Sequence, residues 1–360
     1  MSTVLSVLIL ILIMGIMITL HEFGHFIAAR IFGMEVREFA IGMGPAIYKR
    51  KRKEDEEGNP IGTAFSLRAF PIGGFCDLGE DSESDNPRSF VNKPRIQRCI
   101  VLAAGSIMNL LLGFLVTLIL FLAYVGGSYQ TTKISALADD FPYGNQIQVG
   151  DEIVNINGNA IHTYTDLRIF IARDTDKPYT ITFRRDGKTF KVNNIERTLT
   201  SENGEPVIGM TFGHWDKLTL PRAFENAWYT ATGYVRVVRV SLSDLFTGRV
   251  KPTDMMGPVG IGSEINNIVT QEESFGDVVS NLANLTALLS VNLAVFNLLP
   301  IPALDGGRIL FLFISFLLLK IRKKPLSPTV EGRIHGVIFL LLIGLIIFVF
   351  FNDIMRLVGG

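Results

Sequence analysis

Cysteine is scarce in this sequence, and net charge is absent. Only Cys76 and Cys99 occur in 360 residues, and 34 Lys and Arg balance 34 Asp and Glu. Two cysteines are too few for the disulfide framework of a small secreted domain, and both lie in or beside the region that the basic clusters described below assign to the cytoplasm, so we expect free thiols. A formal net charge of +0 gives no reason to expect nucleic acid as a partner.

Basic residues are also missing from the start of the chain, where the first lysine or arginine is Arg30. A cleaved signal peptide would begin with a basic region and end at a cleavage site of small residues. His21, Glu22 and His25 stand where that site should be. We therefore interpret Val4–Leu20 as a membrane helix about 25 Å long, which the next turns extend across the hydrocarbon core.

Three further apolar runs are long enough to cross a membrane, at residues 100–125, 282–299 and 337–351. A shorter apolar stretch, 309–319, closely follows residue 299, and asparagines and prolines break this third segment. The predicted fold is a polytopic α-helical membrane protein with about four transmembrane helices.

Three basic clusters predict how these helices are oriented. They lie at residues 49–53, at Arg95 and Arg98, and at residues 320–324. If the helices alternate in direction, all three clusters fall on one side, which the positive-inside rule makes cytoplasmic. The N-terminus and residues 126–280 then lie on the other side.

Two segments outside the apolar runs have the pattern of β-structure. Residues 63–70 alternate with period two, which predicts a strand that ends at residues 71–75, and residues 42–45 have the composition of a turn. Further along, Asn157-Gly158 and Asp186-Gly187 mark hairpin turns in a compact α+β module.

The sharpest motif is His21-Glu22-Phe23-Gly24-His25. Helix residues four apart share a face, so both imidazoles can bind one Zn²⁺ while Glu22 reaches the water on the ion. Zinc lowers the pKa of that water to about 7, and a glutamate can accept its proton. At the end of an apolar helix, ionisable side chains cost at least a few kcal/mol unless they are paired or ligated. This context favours a metal site over a chance pattern.

A catalytic zinc site usually has three protein ligands, so a third must come from elsewhere in the chain. Residues 297–307 read Asn-Leu-Leu-Pro-Ile-Pro-Ala-Leu-Asp-Gly-Gly, and Asp305 is flanked by apolar runs. The prolines open the helix there and free backbone groups. Alone, such an aspartate is more often a helix cap or an interfacial residue. Together with the histidine motif, we predict that it is a ligand.

With these motifs in view, the chain resembles the site-2 protease family, in particular its bacterial RseP-like intramembrane zinc metalloproteases. The resemblance extends to Gly105–Asn109, to Gly257–Ile261 and to a PDZ-like module. It implies an edge strand within Thr63–Phe75 that holds an unwound substrate. A plain cytoplasmic hairpin is the alternative for that loop, and close helix packing is the alternative for the Gly105/Asn109 pair. The resemblance implies zinc ligation by His21, His25 and Asp305, catalysis by Glu22 as the base, and substrate binding by Asn297, Pro300, Gly105, Asn109, Phe65 and Leu67.

The resemblance also implies the substrates and the location of the protein. The substrates would be single-span membrane proteins, such as anti-sigma factors or remnant signal peptides, cut within or near their transmembrane segments. The protein would lie in the bacterial cell membrane, with the active site near the cytoplasmic side and the PDZ-like domain outside. The predicted domains are transmembrane helix 1 (1–32), a membrane-associated β loop (33–96), transmembrane helix 2 (97–126), the PDZ-like domain (127–200), an extracytoplasmic connector with an amphipathic helix (201–280), transmembrane helix 3 (281–320) and transmembrane helix 4 (333–353).

Two other functions fit parts of this pattern. A non-enzymatic PDZ scaffold in the membrane could carry a structural metal site, but such a site has no use for Glu22 as a base. A transporter would use broken helices and intramembrane acids, but the sequence has no repeated halves. The sequence leaves open the physiological substrate, the oligomeric state, and whether the PDZ-like module binds peptides or filters substrates by size.

Overall fold

The computed structural model describes residues 2–54, 60–79, 85–173, 177–200, 206–251, 253, 255–271, 274–323 and 328–359. It divides into two compact units. The first combines Met1–Gly113 with Val237–Gly360, and the second is Phe114–Arg236. Residue 324 of the third basic cluster lies outside the described residues.

The described residues form eight α-helices and one short 3₁₀ helix, Phe90–Asn92. Four of the α-helices, the first, second, sixth and eighth, have the length and hydropathy of membrane helices, as predicted. The α-helices are α1 (Ser2–Ile31), α2 (Arg95–Ala123), α3 (Tyr164–Arg173), α4 (Leu220–Phe246), α5 (Pro258–Gln271), α6 (Phe275–Asn297), α7 (Asp305–Arg322) and α8 (Pro328–Gly359).

The predicted third membrane segment is two helices joined by a tight loop. Helix α6 ends at Asn297 and α7 begins at Asp305. The loop is closed by short-range bonds, since the Ile301 N–H donates to the Leu299 carbonyl over 2.7 Å and the Leu304 N–H donates to the Ile301 carbonyl over 3.1 Å. Proline cannot donate a backbone hydrogen bond, so Pro300 and Pro302 favour this break. The break makes Asp305 the first residue of a helix.

The described part of the loop after α1 contains four strands: β1 (Glu38–Arg50), β2 (Lys53–Glu54), β3 (Pro60–Ile61) and β4 (Ala64–Asp77). Two turn predictions are wrong here, because residues 42–45 lie within β1 and residues 71–75 lie within β4. Gly42 and Gly73 have φ of 82° and 88°. Glycine adopts positive φ at little cost, so the two strands bend at these points without ending.

Bending lets β1 and β4 form four rows of backbone. Residues 38–41 pair with 64–67 in parallel register and also pair, in the opposite direction, with 74–77. Residues 46–50 pair with 65–68 on the far side of that row. Among the described strands, residues 74–77 are paired on one side only, so they form an edge of this sheet.

The described residues of the second unit form ten strands, α3 and parts of α2 and α4. Its largest sheet has the order β10-β9-β7-β8, and the buried side chains of Ile153, Ile181 and Phe183 belong to its core. Both predicted hairpins are present, with Asn157 and Asp186 each at φ 50°. The strands are β5 (Ser128–Gln130), β6 (Ile134–Leu137), β7 (Glu152–Ile156), β8 (Asn159–Ala160), β9 (Tyr179–Arg185), β10 (Lys188–Ile195), β11 (Leu199–Thr200), β12 (Pro206–Val207), β13 (Met210–Phe212) and β14 (Trp215–Lys217).

Strand pairing corrects the boundary predicted at residue 200. Strand β13 pairs with β6, and β14 pairs with β5. Because these ladders join the chain after residue 206 to its start near residue 128, the module continues to at least Lys217.

The predicted connector, residues 201–280, also needs correction, since part of it packs with the membrane helices. Ile265 of α5 is fully buried and clusters with Ile13 and Met17 of α1. Asp353 of α8 accepts hydrogen bonds from the backbone N–H groups of Gly257 (3.2 Å) and Gly260 (2.8 Å) at the start of α5. Helix α5 is therefore held between α1 and α8.

Candidate active site

Three side chains from two helices meet inside the first unit. His21 and His25, one turn apart on α1, are only 6% and 7% exposed. Asp305 reaches them from the first turn of α7, with its Oδ2 lying 3.0 Å from His21 Nε2 and 3.3 Å from His25 Nε2. The two Nε2 atoms are 3.2 Å apart. These three atoms form a nearly equilateral triangle.

The triangle fits a zinc ion. Tetrahedral ligand atoms about 2.0–2.1 Å from Zn²⁺ lie about 3.3 Å from one another. Two imidazole nitrogens and one carboxylate oxygen are also an ordinary donor set for catalytic zinc. Among the described residues, this is the one cluster of three or more His, Cys, Asp or Glu side chains with such spacing. His21, His25 and Asp305 can therefore hold the metal and leave a fourth position open.

A backbone carbonyl fixes the orientation of His25. Its Nδ1 lies 2.8 Å from the carbonyl oxygen of Val101 on α2. A carbonyl can only accept, so Nδ1 carries the proton and Nε2 keeps its lone pair. A second hydrogen bond of this kind orients most metal-binding histidines.

Asn109 can serve His21 in the same way. Its side-chain amide lies 3.4 Å from His21 Nδ1, and its Oδ1 is buried without a hydrogen-bond partner among the described residues. The two ends of an amide are distinguished only by their hydrogen bonds. Turning the amide over lets Oδ1 accept the Nδ1 proton of His21, which satisfies the buried oxygen and frees His21 Nε2 for the metal.

Gly105 provides the space in which the imidazoles sit. A Cβ at this position would lie 2.5 Å from His25 Nε2 and 2.8 Å from His21 Cε1. Gly24 on α1 is equally restricted, because a Cβ there would collide with the backbone of Ala104. Small residues allow the two helix backbones to approach closely. Gly105 and Asn109 thus both lie against the two histidines, and Gly105 allows α1 and α2 to pack closely.

Glu22 is bound to the edge of the β1/β4 sheet. Its Oε2 accepts a 3.0 Å hydrogen bond from the backbone N–H of Cys76. Gly74 is also close, since a Cβ there would lie 3.8 Å from Glu22 Cγ. The edge segment 74–77 is therefore beside the glutamate that lies between the two histidines in sequence.

Phe65 and Leu67 do not lie on that edge, which corrects the sequence prediction. Phe65 pairs with Phe39 on one side and Arg50 on the other, and Leu67 pairs with Ile41 and Tyr48. Both residues belong to an inner row whose backbone is flanked on both sides. The ring of Phe65 packs near those of Phe26 and Phe39, 5.9 and 6.3 Å away between centroids.

Asn297 and Pro300 lie in different surroundings. Asn297, the last residue of α6, places Nδ2 3.4 Å from His21 Nε2. Pro300 lines an apolar cavity of about 1070 Å³ between α2 and α7, with Ile100 and Phe313 among its other walls. The structure thus brings Asn297 to the triangle and leaves Pro300 on the neighbouring cavity.

Glu38 ties the rows of the β1/β4 sheet together. Its carboxylate accepts hydrogen bonds from Lys49 Nζ (2.5 Å), Ser66 Oγ (2.7 Å) and Arg68 Nη2 (2.8 Å). Burial acts to raise the pKa of Glu38, but hydrogen bonds from Lys49, Ser66 and Arg68 outweigh it and hold the pKa at about 2. The carboxylate is therefore charged at neutral pH and links β1 to β4.

Sequence reasoning missed Val101, Gly74 and Cys76. Val101 and Cys76 act through backbone atoms, which leave no mark on residue type. The adjacent glycines Gly73 and Gly74 could have indicated this part of the site, because glycines within a strand often mark a bend or the close approach of another group.

Comparison with known proteins identifies the family of the chain. Residues 9–345 match the model of peptidase family M50. A protein of Clostridium perfringens named as a candidate zinc metalloprotease is 35% identical over 342 residues, which cover 94% of this chain and 95% of the relative. A similarly named protein of Fusobacterium nucleatum is 32% identical, covering 98% of this chain and 99% of the relative. The regulator of sigma-W protease RasP of Bacillus subtilis is 29% identical, with coverage of 98% and 99%. The chain belongs to peptidase family M50, the site-2 proteases, and is a multi-pass intramembrane zinc metalloprotease.

Proposed function

We propose that His21, His25 and Asp305 bind the zinc ion and that Glu22 is the general base of peptide-bond hydrolysis. The observation that carries this assignment is the triangle of Nε2, Nε2 and Oδ2 atoms, 3.0 to 3.3 Å apart. Its edges match the ligand spacing of tetrahedral zinc. The alternative of a structural metal in a scaffold does not account for a carboxylate beside the ligands.

Bound zinc supplies a Lewis acid that polarises the scissile carbonyl and acidifies water. Glu22 accepts the proton of the attacking water and then donates it to the leaving nitrogen. Because Oε2 of Glu22 already accepts the Cys76 N–H, we assign the proton exchange to Oε1. This backbone bond also fixes the direction in which the carboxylate points.

We propose that the substrate binds as an added strand along residues 74–77. A transmembrane helix shields its own peptide bonds, so a segment must unwind before it can be cut, and strand addition holds it extended. The Cys76 N–H points to Glu22, and backbone groups two residues apart on a strand face the same side. The Gly74 backbone thus faces the site. We further propose that Asn297, whose amide Nδ2 lies 3.4 Å from His21 Nε2, holds the substrate backbone near the metal.

The substrates that we propose are single-span membrane proteins, such as anti-sigma factors or remnant signal peptides. One relative is named a regulator of sigma-W protease, which supports a role in sigma-factor control. The basic clusters support an active site near the cytoplasmic side. By the same rule, the α+β unit, with PDZ-like character, lies on the outer side.

Cleavage of a panel of tagged single-span proteins tests this proposal. We expect Glu22→Gln to keep its zinc and to cut about 10² to 10⁴ times more slowly than the wild type. Glu264→Gln, which removes an exposed carboxylate of α5, is the matched control and should cut normally. Undiminished cleavage by zinc-loaded Glu22→Gln would show that another residue is the base. Full zinc content in His21→Ala, His25→Ala and Asp305→Asn would refute the ligand assignment.

A further inference from the structure

Helix α8 contacts the loop that precedes Asp305 through His335. The backbone N–H of Ala303 donates a 2.8 Å hydrogen bond to Nδ1 of His335. His335 is half-buried on α8, and its ring lies 4.9 Å from that of Phe311 on α7, measured between centroids. The imidazole is thus held between two helices, with one nitrogen aimed at the loop.

Ala303 has an unfavourable backbone conformation. Its φ is +82°, in the left-handed region that residues with a Cβ rarely adopt. Such a conformation persists only where its surroundings hold it. Ala303 lies two residues before Asp305, and the intervening residue, Leu304, caps α7 without a side-chain hydrogen bond. The direction of the Asp305 carboxylate at this helix end is therefore set by the backbone of the loop.

A carboxylate selects the form of His335 that can accept this bond. The Ala303 N–H can only donate, so Nδ1 must carry a lone pair and the proton must be on Nε2. His335 Nε2 faces Oε1 of Glu331, one turn earlier on α8, at 3.9 Å. An acceptor on that side favours the Nε2–H tautomer. The hydrogen bond from Ala303 to His335 thus connects α8 to the loop, and the nearby Glu331 carboxylate favours the tautomer that this bond requires.

We propose that His335 is a positioning residue for the metal site. It holds Ala303 in the left-handed conformation and so keeps Asp305 aligned with His21 and His25. The inference rests on the proposed role of Asp305 as a zinc ligand. It assigns to α8, which contributes none of the three ligands, a part in the geometry of the centre.

Four variants of the full-length protein in detergent test this role by zinc affinity, measured by competition with a chelator. His335→Leu removes the acceptor and should weaken zinc binding about 10- to 100-fold, as loss of such a supporting bond does at other metal sites. His335→Asn offers Oδ1 near the position of Nδ1 and should stay within about threefold of the wild type. Ala303→Gly should bind zinc like the wild type, because glycine adopts positive φ without strain.

The decisive variant combines His335→Leu with Ala303→Gly. Because glycine needs no help at this position, the double variant should regain most of the zinc affinity that His335→Leu loses. If the imidazole only stabilises the fold, the single and the double Leu variants should have equally low zinc affinity, and His335→Asn should bind zinc no more tightly than they do. Wild-type zinc affinity of His335→Leu would also overturn the proposal. Asp305→Asn is measured alongside, since full zinc affinity there refutes the ligand assignment itself, whatever the His335 variants do.

Discussion

The backbone N–H of Cys76 lies 3.0 Å from Oε2 of Glu22 and donates a hydrogen bond to it. The proposed base is thus held by the edge strand on which we place the substrate. Substrate binding and proton transfer therefore depend on the same strand, so a shift of this strand moves both.

Replacing Cys76 with proline removes this hydrogen bond. Proline has no N–H and is tolerated at sheet edges where that group makes no ladder bond. A hydrogen bond to a charged group is worth about 1.5–3 kcal/mol, so we expect about 10- to 100-fold slower cleavage with zinc content unchanged. Cys76→Ser keeps the N–H and is the control. Wild-type turnover by Cys76→Pro would mean that Glu22 needs no support from the strand.

Adding one methyl group at position 105 should empty the metal site. Because the new Cβ would lie 2.5 Å from His25 Nε2, the imidazoles must move out of the triangle. We expect Gly105→Ala to lose at least about 10- to 100-fold in zinc affinity, as seen when ligand orientation is disturbed. Leu111→Ala, at an exposed position on the same helix, should keep its zinc in the same metal analysis. Normal zinc content in Gly105→Ala would contradict the observed packing.

Asn109 should respond to substitution as a hydrogen-bond acceptor for His21. Asn109→Leu removes the acceptor, and we expect zinc affinity to fall about 10- to 100-fold. Asn109→Asp keeps an oxygen at the position that faces His21 Nδ1 and should retain most of the affinity. Equal losses in the two variants would show that the amide donates to His21, contrary to the orientation inferred from its unpaired Oδ1.

Glu38 should make the stability of the folded protein depend on pH. Its pKa falls from an ordinary value of 4.5 to about 2 in the folded protein, so the folded state favours the charged form. The stabilisation is complete above pH 4.5 and is lost as the pH falls toward 2. We expect Glu38→Gln to lower the unfolding temperature at pH 7, and the difference from the wild type to shrink below pH 4.5. A difference that does not change between pH 7 and 3 would contradict this role.

The local parts of the site could be predicted from sequence. The spacing of His21 and His25 follows from helix geometry, and the acid at 305 stands out because apolar residues surround it. The four membrane helices follow from apolar length alone.

The long-range parts could not be predicted in this way. The alternation at Phe65 and Leu67 indicates a strand but does not say which rows of the sheet lie beside it. The edge row, residues 74–77, instead begins with residues whose composition is typical of a turn. Likewise, the environments of Gly105 and Asn109 depend on how closely α1 and α2 approach, which no single helix specifies. Both cases concern which residues become neighbours in the fold.

Helix α8 comes after all three proposed ligands along the chain. It nevertheless holds the loop before Asp305, through the bond between His335 and Ala303, and the start of α5, through Asp353. During synthesis, the ligand-bearing helices enter the membrane before these supports exist. Proteolytic competence should therefore arise late, after α8 has inserted, so that a partly made chain does not cut its neighbours at the site of insertion.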